Sequence, residues 1–139
     1  MIRLARRYRF SAAHVLARDD WSAEKNREIY GKCANPSGHG HNYEAWVWLT
    51  GEVEPGSGMI LPTSRLDELV FERVVARLDE RLLNRDVAHF ATAVPTAENI
   101  ARWIWDQLQP ALPAGMLRRV RLVETPNNSV EYAGGREEP

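Results

Sequence analysis

The sequence predicts an α+β fold in which a four-stranded antiparallel sheet carries two helices on one face. Its elements follow the order β-β-α-α-β-β, with two strand patterns, two helical patterns and two further strand patterns. The strand patterns alternate apolar with polar side chains, whereas the helical ones repeat apolar residues every three or four positions. Paired strands on either side of two helices favour helices packed on one face of the sheet.

The first half of the chain supplies two strands. Residues 2–10 alternate as a strand does, and His14 follows shortly after them. Ser22 can cap a short helix over residues 23–29, after which a loop rich in glycine and proline follows. That loop runs into the second strand, whose pattern covers residues 43–53 and ends in a turn rich in breakers.

The second half supplies the two long helices and the last two strands. Ser64 opens the first helix, with Asp67 three residues on as a capping-box partner. Thr96 caps the second helix, and strand patterns follow at residues 117–125 and 129–132. The apolar stripe of the first helix is formed by Leu66, Leu69, Val70, Val74, Leu78 and Leu82.

Composition limits the classes of function that the chain can have. Its 139 residues predict one domain, residues 1–139, that is long enough to bury a core. The formal net charge is −1, with both signs spread along the chain, which argues against nucleic-acid and membrane partners. The start of the chain has no apolar run typical of a signal peptide. The single cysteine cannot form an internal disulfide, which suits a cytoplasmic location.

A His-x-His pair is the main chemical signal in the sequence. If the second strand has begun by residue 39, His39 and His41 share a face with Cα atoms about 6–7 Å apart. Two imidazoles at that spacing can bind one ion, and catalytic zinc usually takes a third protein ligand, for which His14 is the candidate. The alternative is that the pair only hydrogen-bonds a loop. Cys33 nearby and a histidine at the end of the first strand favour a metal site.

The most specific motif is the run Gly-Lys-Cys-Ala-Asn-Pro-Ser-Gly-His-Gly-His-Asn-Tyr at residues 31–43. Together with residues 10–14, 95–99 and 123–128, it resembles the 6-pyruvoyl-tetrahydropterin synthase family, which includes the bacterial 6-carboxytetrahydropterin synthases. The resemblance implies the tunnelling fold, in which the sheets of several subunits join into a barrel. It also implies zinc as the metal and a homo-oligomer, a hexamer, as the assembly. A four-stranded sheet with open edges gives a physical reason for such assembly.

Glu124 is the carboxylate with the clearest pattern. It continues the alternation of Val120 and Leu122, so a charge occupies a position where an apolar side chain is expected. A buried carboxylate needs a partner, and a pterin presents two adjacent N–H donors. The alternative is an ordinary glutamate at a strand end. The resemblance makes Glu124 the anchor of a small-molecule pterin substrate and places Thr96 and Glu98 near the pterin pocket.

The resemblance also implies the catalytic groups. In the family a cysteine thiolate, assisted by an Asp–His pair, moves protons on 7,8-dihydroneopterin triphosphate, and Cys33 and Asp79 match the cysteine and the aspartate. Glu80 stands where the family has the histidine. His89 is the remaining histidine and the alternative replacement, although it lies nine residues further on. A carboxylate beside a thiol raises the thiol pKa, so the change bears on the reaction itself.

Three functions are compatible with these residues. The first is a zinc-dependent 6-pyruvoyl-tetrahydropterin synthase-like lyase that eliminates triphosphate, with Glu80 in the acid–base role. The second is side-chain cleavage of the 6-carboxytetrahydropterin synthase type. The third is a homologue that binds zinc and a pterin with little turnover, because the catalytic histidine is replaced. The two enzymatic readings are associated with tetrahydrobiopterin and queuosine biosynthesis. The particular amino acids at residues 31–41 favour the pyruvoyl product.

Overall fold

The computed structural model describes residues 1–136 and shows an α+β fold built on one five-stranded mixed sheet. The strands are β1 (Ile2–His14), β2 (His39–Gly51), β3 (Arg81–Leu82), β4 (Leu117–Thr125) and β5 (Asn128–Tyr132). Their order across the sheet is β3-β1-β2-β4-β5. The pairs β1–β2, β2–β4 and β4–β5 are antiparallel, as the sequence predicted.

The prediction of a purely antiparallel, four-stranded sheet is wrong in one respect. β3 is a fifth strand, and it pairs in parallel with β1 through Ala12 and Ala13. A strand of two residues is too short to show alternation, so no sequence pattern reveals it. β1 also continues past residue 10 to His14, which places this histidine inside the sheet rather than after it.

The helices lie close to where the sequence predicted them. They are α1 (Ala23–Tyr30), α2 (Thr63–Val70), α3 (Ala76–Leu78), α4 (Leu83–Asp86) and α5 (Ala97–Leu108). A π-helical segment, Phe71–Val75, joins α2 to α3, so the predicted first long helix ends at Leu78. Leu82 belongs to β3 instead. Within residues 1–136, no helix has the length and apolar character needed to cross a bilayer.

The predicted capping box of the first long helix is also wrong. No side chain caps α2, whose N-cap residue is Pro62. Asp67 instead accepts hydrogen bonds from Arg6 and from the Tyr8 hydroxyl, each at 2.8 Å. Arg6 on β1 donates to both oxygens of the carboxylate, a bidentate charge-assisted contact that adds geometric specificity as well as free energy. Asp67 therefore ties α2 to the sheet.

The core lies between one face of the sheet and the helices. Tyr43, Ala45, Val47 and Leu49 alternate along β2, and none of them has any exposed surface. Leu66 and Val70 of α2, together with Ile100 and Ile104 of α5, join the same hydrophobic cluster. Burial of apolar surface, at about 25 cal/mol per Å², is the main favourable term in such a core. The opposite face of β2 carries more polar residues, including Asn42 and Glu44.

Candidate active site

The structure brings three histidine side chains together at one end of the β1–β2 pair. His14 pairs with His39 across the two strands, and His41 lies two residues further along β2 on the same face. One ligand nitrogen from each histidine lies within 4.8 Å of those of the other two. The Nε2 atoms of His14 and His39 are 3.0 Å apart. This cluster has the spacing needed to hold one metal ion.

His14 is fully buried, and one backbone carbonyl sets its tautomer. Its Nδ1 lies 2.8 Å from the carbonyl oxygen of Pro95, which can only accept a hydrogen bond. Nδ1 therefore carries the proton, and the Nε2 lone pair points into the cluster. Burial is the main reason that the pKa of His14 is lowered to about 4; the Pro95 carbonyl opposes the change, and the two neighbouring histidines contribute to it. His14 is thus neutral near pH 7, the form that binds a metal.

The other two histidines fit a metal as well. Burial, followed by the neighbouring His41, lowers the pKa of His39, while Glu124 opposes the change. Among residues 1–136, no hydrogen-bond partner is found for the buried Nδ1 of His39 or the buried Nε2 of His41. Unpartnered buried nitrogens cost free energy, and a metal ion accepts lone pairs of this kind. Three imidazoles are a donor set that suits zinc.

Tyr43 lies directly beneath the histidines. It has no exposed surface, its ring stacks on Phe10 at 5.0 Å, and its ring centroid is 5.5 Å from that of His41. Its hydroxyl oxygen is 3.4 Å from Nδ1 of His14. Burial, Glu124 and Cys33 raise the pKa of Tyr43, so the phenol stays protonated. Tyr43 is therefore a buried, uncharged side chain against which the histidine cluster packs.

Glu124 lies beside the cluster because it continues the face of β4 on which Leu122 pairs with Ala45 of β2. The register between β4 and β5 shifts between Val123 and Thr125, which leaves Glu124 at a β-bulge. Bulges change the direction of a side chain and are common next to active sites. The Glu124 side chain is 12% exposed, and its Oε1 lies 3.8 Å from Nε2 of His41. A largely buried acceptor thus lies directly beside the histidines.

Cys33 is positioned by the loop before β2. It lies in a short 3₁₀ turn, Gly31–Ala34, and its carbonyl accepts a 2.8 Å hydrogen bond from the Leu16 backbone N–H. This bond holds the loop against the chain that leaves β1. Burial and then the charge of Glu124 raise the pKa of the Cys33 thiol. The thiol is therefore mostly protonated at neutral pH unless a cation lies near it.

Asp79 and Glu80 are fixed at the outer edge of β1. The Asp79 carboxylate accepts a 2.8 Å bond from the Ser11 N–H, and the Glu80 N–H donates to the Ser11 carbonyl at 2.6 Å. Glu80 is exposed and has a φ of 58°, the left-handed conformation that is uncommon for a residue other than glycine. Such backbone conformations cluster at functional sites.

This pair lies beside the end of β1 and β2 without a contact to Cys33. Glu80 lines a depression together with Ser11 and Gly40, and His41 also contributes to its wall. Ser11, to which Asp79 is bonded, alternates with His14 along β1 and so lies on the face opposite the histidine cluster. Within residues 1–136, no contact joins Asp79 or Glu80 to Cys33. His89 is exposed and has its ring against Phe90, at 5.1 Å between centroids.

Comparison with known proteins agrees with this arrangement. A family model described as 6-pyruvoyl tetrahydropterin synthase matches residues 3–135. The chain belongs to this family. It is 44% identical to the 6-pyruvoyl tetrahydrobiopterin synthase of Homo sapiens, over 94% of this chain and 90% of the relative. It is 31% identical to a dihydroneopterin monophosphate aldolase of Pyrococcus furiosus, over 93% of this chain and 95% of the relative. The solved structure of Caenorhabditis elegans 6-pyruvoyl tetrahydropterin synthase matches with a TM-score of 0.90 and 38% identity over 96% of each chain.

Thr96 and Glu98, two further residues that the family resemblance indicated, lie at the start of α5. The Thr96 hydroxyl accepts a hydrogen bond from the Asn99 N–H and caps the helix. Glu98 is exposed in the first helical turn. The segment touches the histidine cluster through the carbonyl of Pro95. Contact of the two side chains with a pterin stays a prediction.

Two groups at the site were not predicted from the sequence. Tyr43 continues the alternation of His39 and His41, so strand periodicity could have placed it on the same face. The role of the Pro95 carbonyl could not be predicted in this way, because every residue has a backbone carbonyl and the sequence does not show which one will accept a hydrogen bond. Its contact with His14 joins residues that are 81 positions apart.

Proposed function

We propose that this chain is a zinc-dependent 6-pyruvoyl-tetrahydropterin synthase, a carbon–oxygen lyase that eliminates triphosphate from 7,8-dihydroneopterin triphosphate. The observation that carries the proposal is the convergence of His14, His39 and His41 beside Glu124 in one pocket. The chain is also 45% identical to the 6-pyruvoyl tetrahydrobiopterin synthase of Pongo abelii, over 94% of this chain and 90% of the relative. We place the enzyme in the cytoplasm, where its one thiol stays reduced.

His14, His39 and His41 would hold the zinc ion and leave one position for substrate. Bound there, zinc supplies Lewis acidity, which makes the protons on a coordinated hydroxyl and its neighbouring carbon easier to remove. His14 is in the form that binds a metal before any ion arrives, because it is neutral and its tautomer is fixed by Pro95.

Glu124 binds the pterin ring in this proposal. The 2-amino group and the adjacent ring N–H of a pterin form a pair of parallel donors, which a carboxylate accepts with both oxygens. Two observations support this role: the side chain is only 12% exposed, and its Oε1 lies 3.8 Å from His41 Nε2. A pterin held there would present its side chain to the histidine cluster.

Cys33 is the proton-transfer group within each chain, and Asp79 with Glu80 assists the Cys33 of a neighbouring copy. No contact joins the two carboxylates to their own Cys33 in residues 1–136, which supports a role beside a thiol that another subunit presents. We therefore propose a homo-oligomer, a hexamer, whose sites are completed at subunit boundaries. β5 is an unpaired edge of the sheet in the described chain and is available for strand pairing.

Cleavage of a carbon–carbon bond in the side chain is the second candidate function. The relative named as an aldolase covers nearly the whole chain, and Glu80 replaces the expected histidine. The identity of 45% with 6-pyruvoyl tetrahydrobiopterin synthase favours elimination of triphosphate as the primary activity.

Product analysis tests these alternatives directly. Zinc-loaded protein is incubated with 7,8-dihydroneopterin triphosphate, and the products are identified by mass spectrometry, with the His41→Ala variant as the blank. We expect free triphosphate and a pterin that keeps all its side-chain carbons. A pterin with a shortened side chain would replace the first proposal with carbon–carbon cleavage. Pterin binding with no product would indicate a binding protein.

A further inference from the structure

The turn before α5 links the histidine cluster to the start of a helix. We propose that Asn99 is a positioning residue for the metal centre, because it fixes the turn whose carbonyl orients His14. The inference rests on the metal binding proposed above and adds a residue that touches neither metal nor substrate.

The turn is fixed by three hydrogen bonds. The carbonyl of Val94 accepts from the Thr96 N–H at 2.9 Å and from the Asn99 side-chain amide at 2.8 Å. The Asn99 N–H in turn donates to the Thr96 hydroxyl at 3.2 Å. Asn99 therefore binds the turn at both of its ends, and Pro95 lies between the two anchored residues. The proline ring also fixes φ at this position, which leaves the turn little freedom.

The carbonyl of Pro95 is the group that this turn presents. It accepts from Nδ1 of His14 at 2.8 Å, inside the core and away from water. A neutral imidazole has one N–H, so a donor at Nδ1 leaves Nε2 as the lone pair that faces His39. Movement of the carbonyl would permit the other tautomer, in which Nε2 carries the proton and cannot bind a metal.

The side-chain amide of Asn99 makes a hydrogen bond for which a donor is required. Its Nδ2 donates backwards to a carbonyl five residues earlier, whereas a helix cap needs only an acceptor. Aspartate has the same shape and is favourable in a first helical turn, but it has no donor. Asn99→Asp therefore removes the bond to Val94 while it keeps the helix start intact.

Asn26 offers a matched control. It is a buried asparagine in α1, a helix that Ser22 caps, and its Nδ2 donates to the Arg18 carbonyl at 3.0 Å. The Arg18 carbonyl is not bonded to a histidine in residues 1–136. Asn26→Asp makes the same chemical change in a comparable setting and leaves the Pro95 turn untouched.

The test is binding of Co²⁺ and Zn²⁺ to the metal-free full-length proteins. Visible d–d absorption of bound Co²⁺ reports ligand geometry, and a chelator competition gives the Zn²⁺ affinity. We expect Asn99→Asp to bind Zn²⁺ roughly 10–100-fold more weakly and to change the Co²⁺ spectrum at saturation. Asn26→Asp is expected to match the wild type in both measurements. Thermal melts of the metal-free proteins establish that each variant is folded.

The outcomes distinguish a failure of the metal site from a failure of the positioning role of Asn99. A wild-type protein that binds neither ion would overturn the metal site and this inference together. Wild-type binding with an unchanged affinity and spectrum in Asn99→Asp would overturn the positioning role alone. Should Asn99→Asp fail to fold, Thr96→Ala decides the matter, with Ser22→Ala as its control. An unchanged Co²⁺ spectrum in Thr96→Ala would then reject the role of the turn.

Discussion

Oε1 of Glu124 lies 3.8 Å from Nε2 of His41, across the gap between β4 and β2. The group proposed to bind the pterin and a group proposed to bind the metal are therefore neighbours in one pocket. A carboxylate at this distance from a metal ligand also favours positive charge in the site. The predictions below separate the contributions of these residues.

Glu124→Gln is expected to weaken pterin binding strongly without affecting the fold. The amide replaces one acceptor oxygen with a donor, so the paired contact is lost at a cost of roughly 2–4 kcal/mol. Calorimetric titration with a pterin measures the effect, and the melting temperature should stay close to that of the wild type. Glu131→Gln, on the exposed strand β5, is the matched control. Equal pterin affinity in Glu124→Gln and the wild type would rule out the anchor role.

His41→Ala is expected to abolish stoichiometric zinc binding. Loss of one of three protein ligands leaves two imidazoles, which is too few for a stable site. Elemental analysis of the purified protein gives zinc per chain, and His89→Ala controls for the loss of an exposed histidine. Near-full zinc occupancy in His41→Ala would contradict a site formed by the three histidines.

Glu80→Gln is expected to lower turnover by about 10²-fold or more, because an amide cannot transfer a proton. Glu80→His should also lower turnover if the glutamate has taken over the acid–base role. Steady-state rates of triphosphate release measure both changes, and Glu72→Gln, another exposed carboxylate, is the control. A faster Glu80→His enzyme would instead mean that Glu80 marks a loss of the family's reaction.

A mixture of Cys33→Ser and Glu80→Gln protein should regain activity that neither variant has alone. Sites shared between subunits recover both groups when one subunit supplies Cys33 and its neighbour supplies Glu80. Statistical mixing completes roughly a quarter of such sites. The measurement is turnover after the two proteins are dissociated and reassembled together. Mixtures that remain as inactive as the separate variants would place both groups in the same chain's site.

Asp67→Asn is expected to lower the melting temperature at pH 7 by roughly 2–4 °C, since a partly exposed ion pair contributes little. The Arg6 hydrogen bonds, and then that of Tyr8, hold the pKa of Asp67 below its ordinary value against the effect of burial. This contribution is present above the aspartate pKa of the unfolded chain, about 3.9, and is lost as the pH falls through the lower folded value. Melting curves of wild type and variant should therefore converge in acid. A constant gap down to low pH would show that the effect is not ionic.

The sequence was sufficient to predict the strands and helices in which apolar residues recur at regular intervals. Alternation placed His39 and His41 on one face, and the structure has them there with Tyr43. The same alternation marked Glu124 as a charge on a buried face, and the structure has its carboxylate 3.8 Å from His41. The helices after Thr63 and Thr96 were visible from their apolar stripes.

Segments without a repeating pattern of apolar residues could not be predicted in this way. β3 has two residues, and its parallel pairing depends on a turn in which Glu80 adopts a positive φ. Asp79 and Glu80 follow a helix, and their position at the outer edge of β1 depends on bonds to Ser11, 68 residues earlier for Asp79. Contacts over such separations are decided by tertiary packing, which local patterns do not encode.

The main chain of Glu80, rather than its side chain, makes the contact with the sheet. Its N–H is bonded to the Ser11 carbonyl, and its side chain points into an open depression, so the fold depends on the main chain at this position. Residues such as histidine and asparagine tolerate the left-handed conformation well. Histidine at position 80 would therefore strain the backbone no more than glutamate does. The imidazole can thus be put in place of the carboxylate here while the scaffold stays the same.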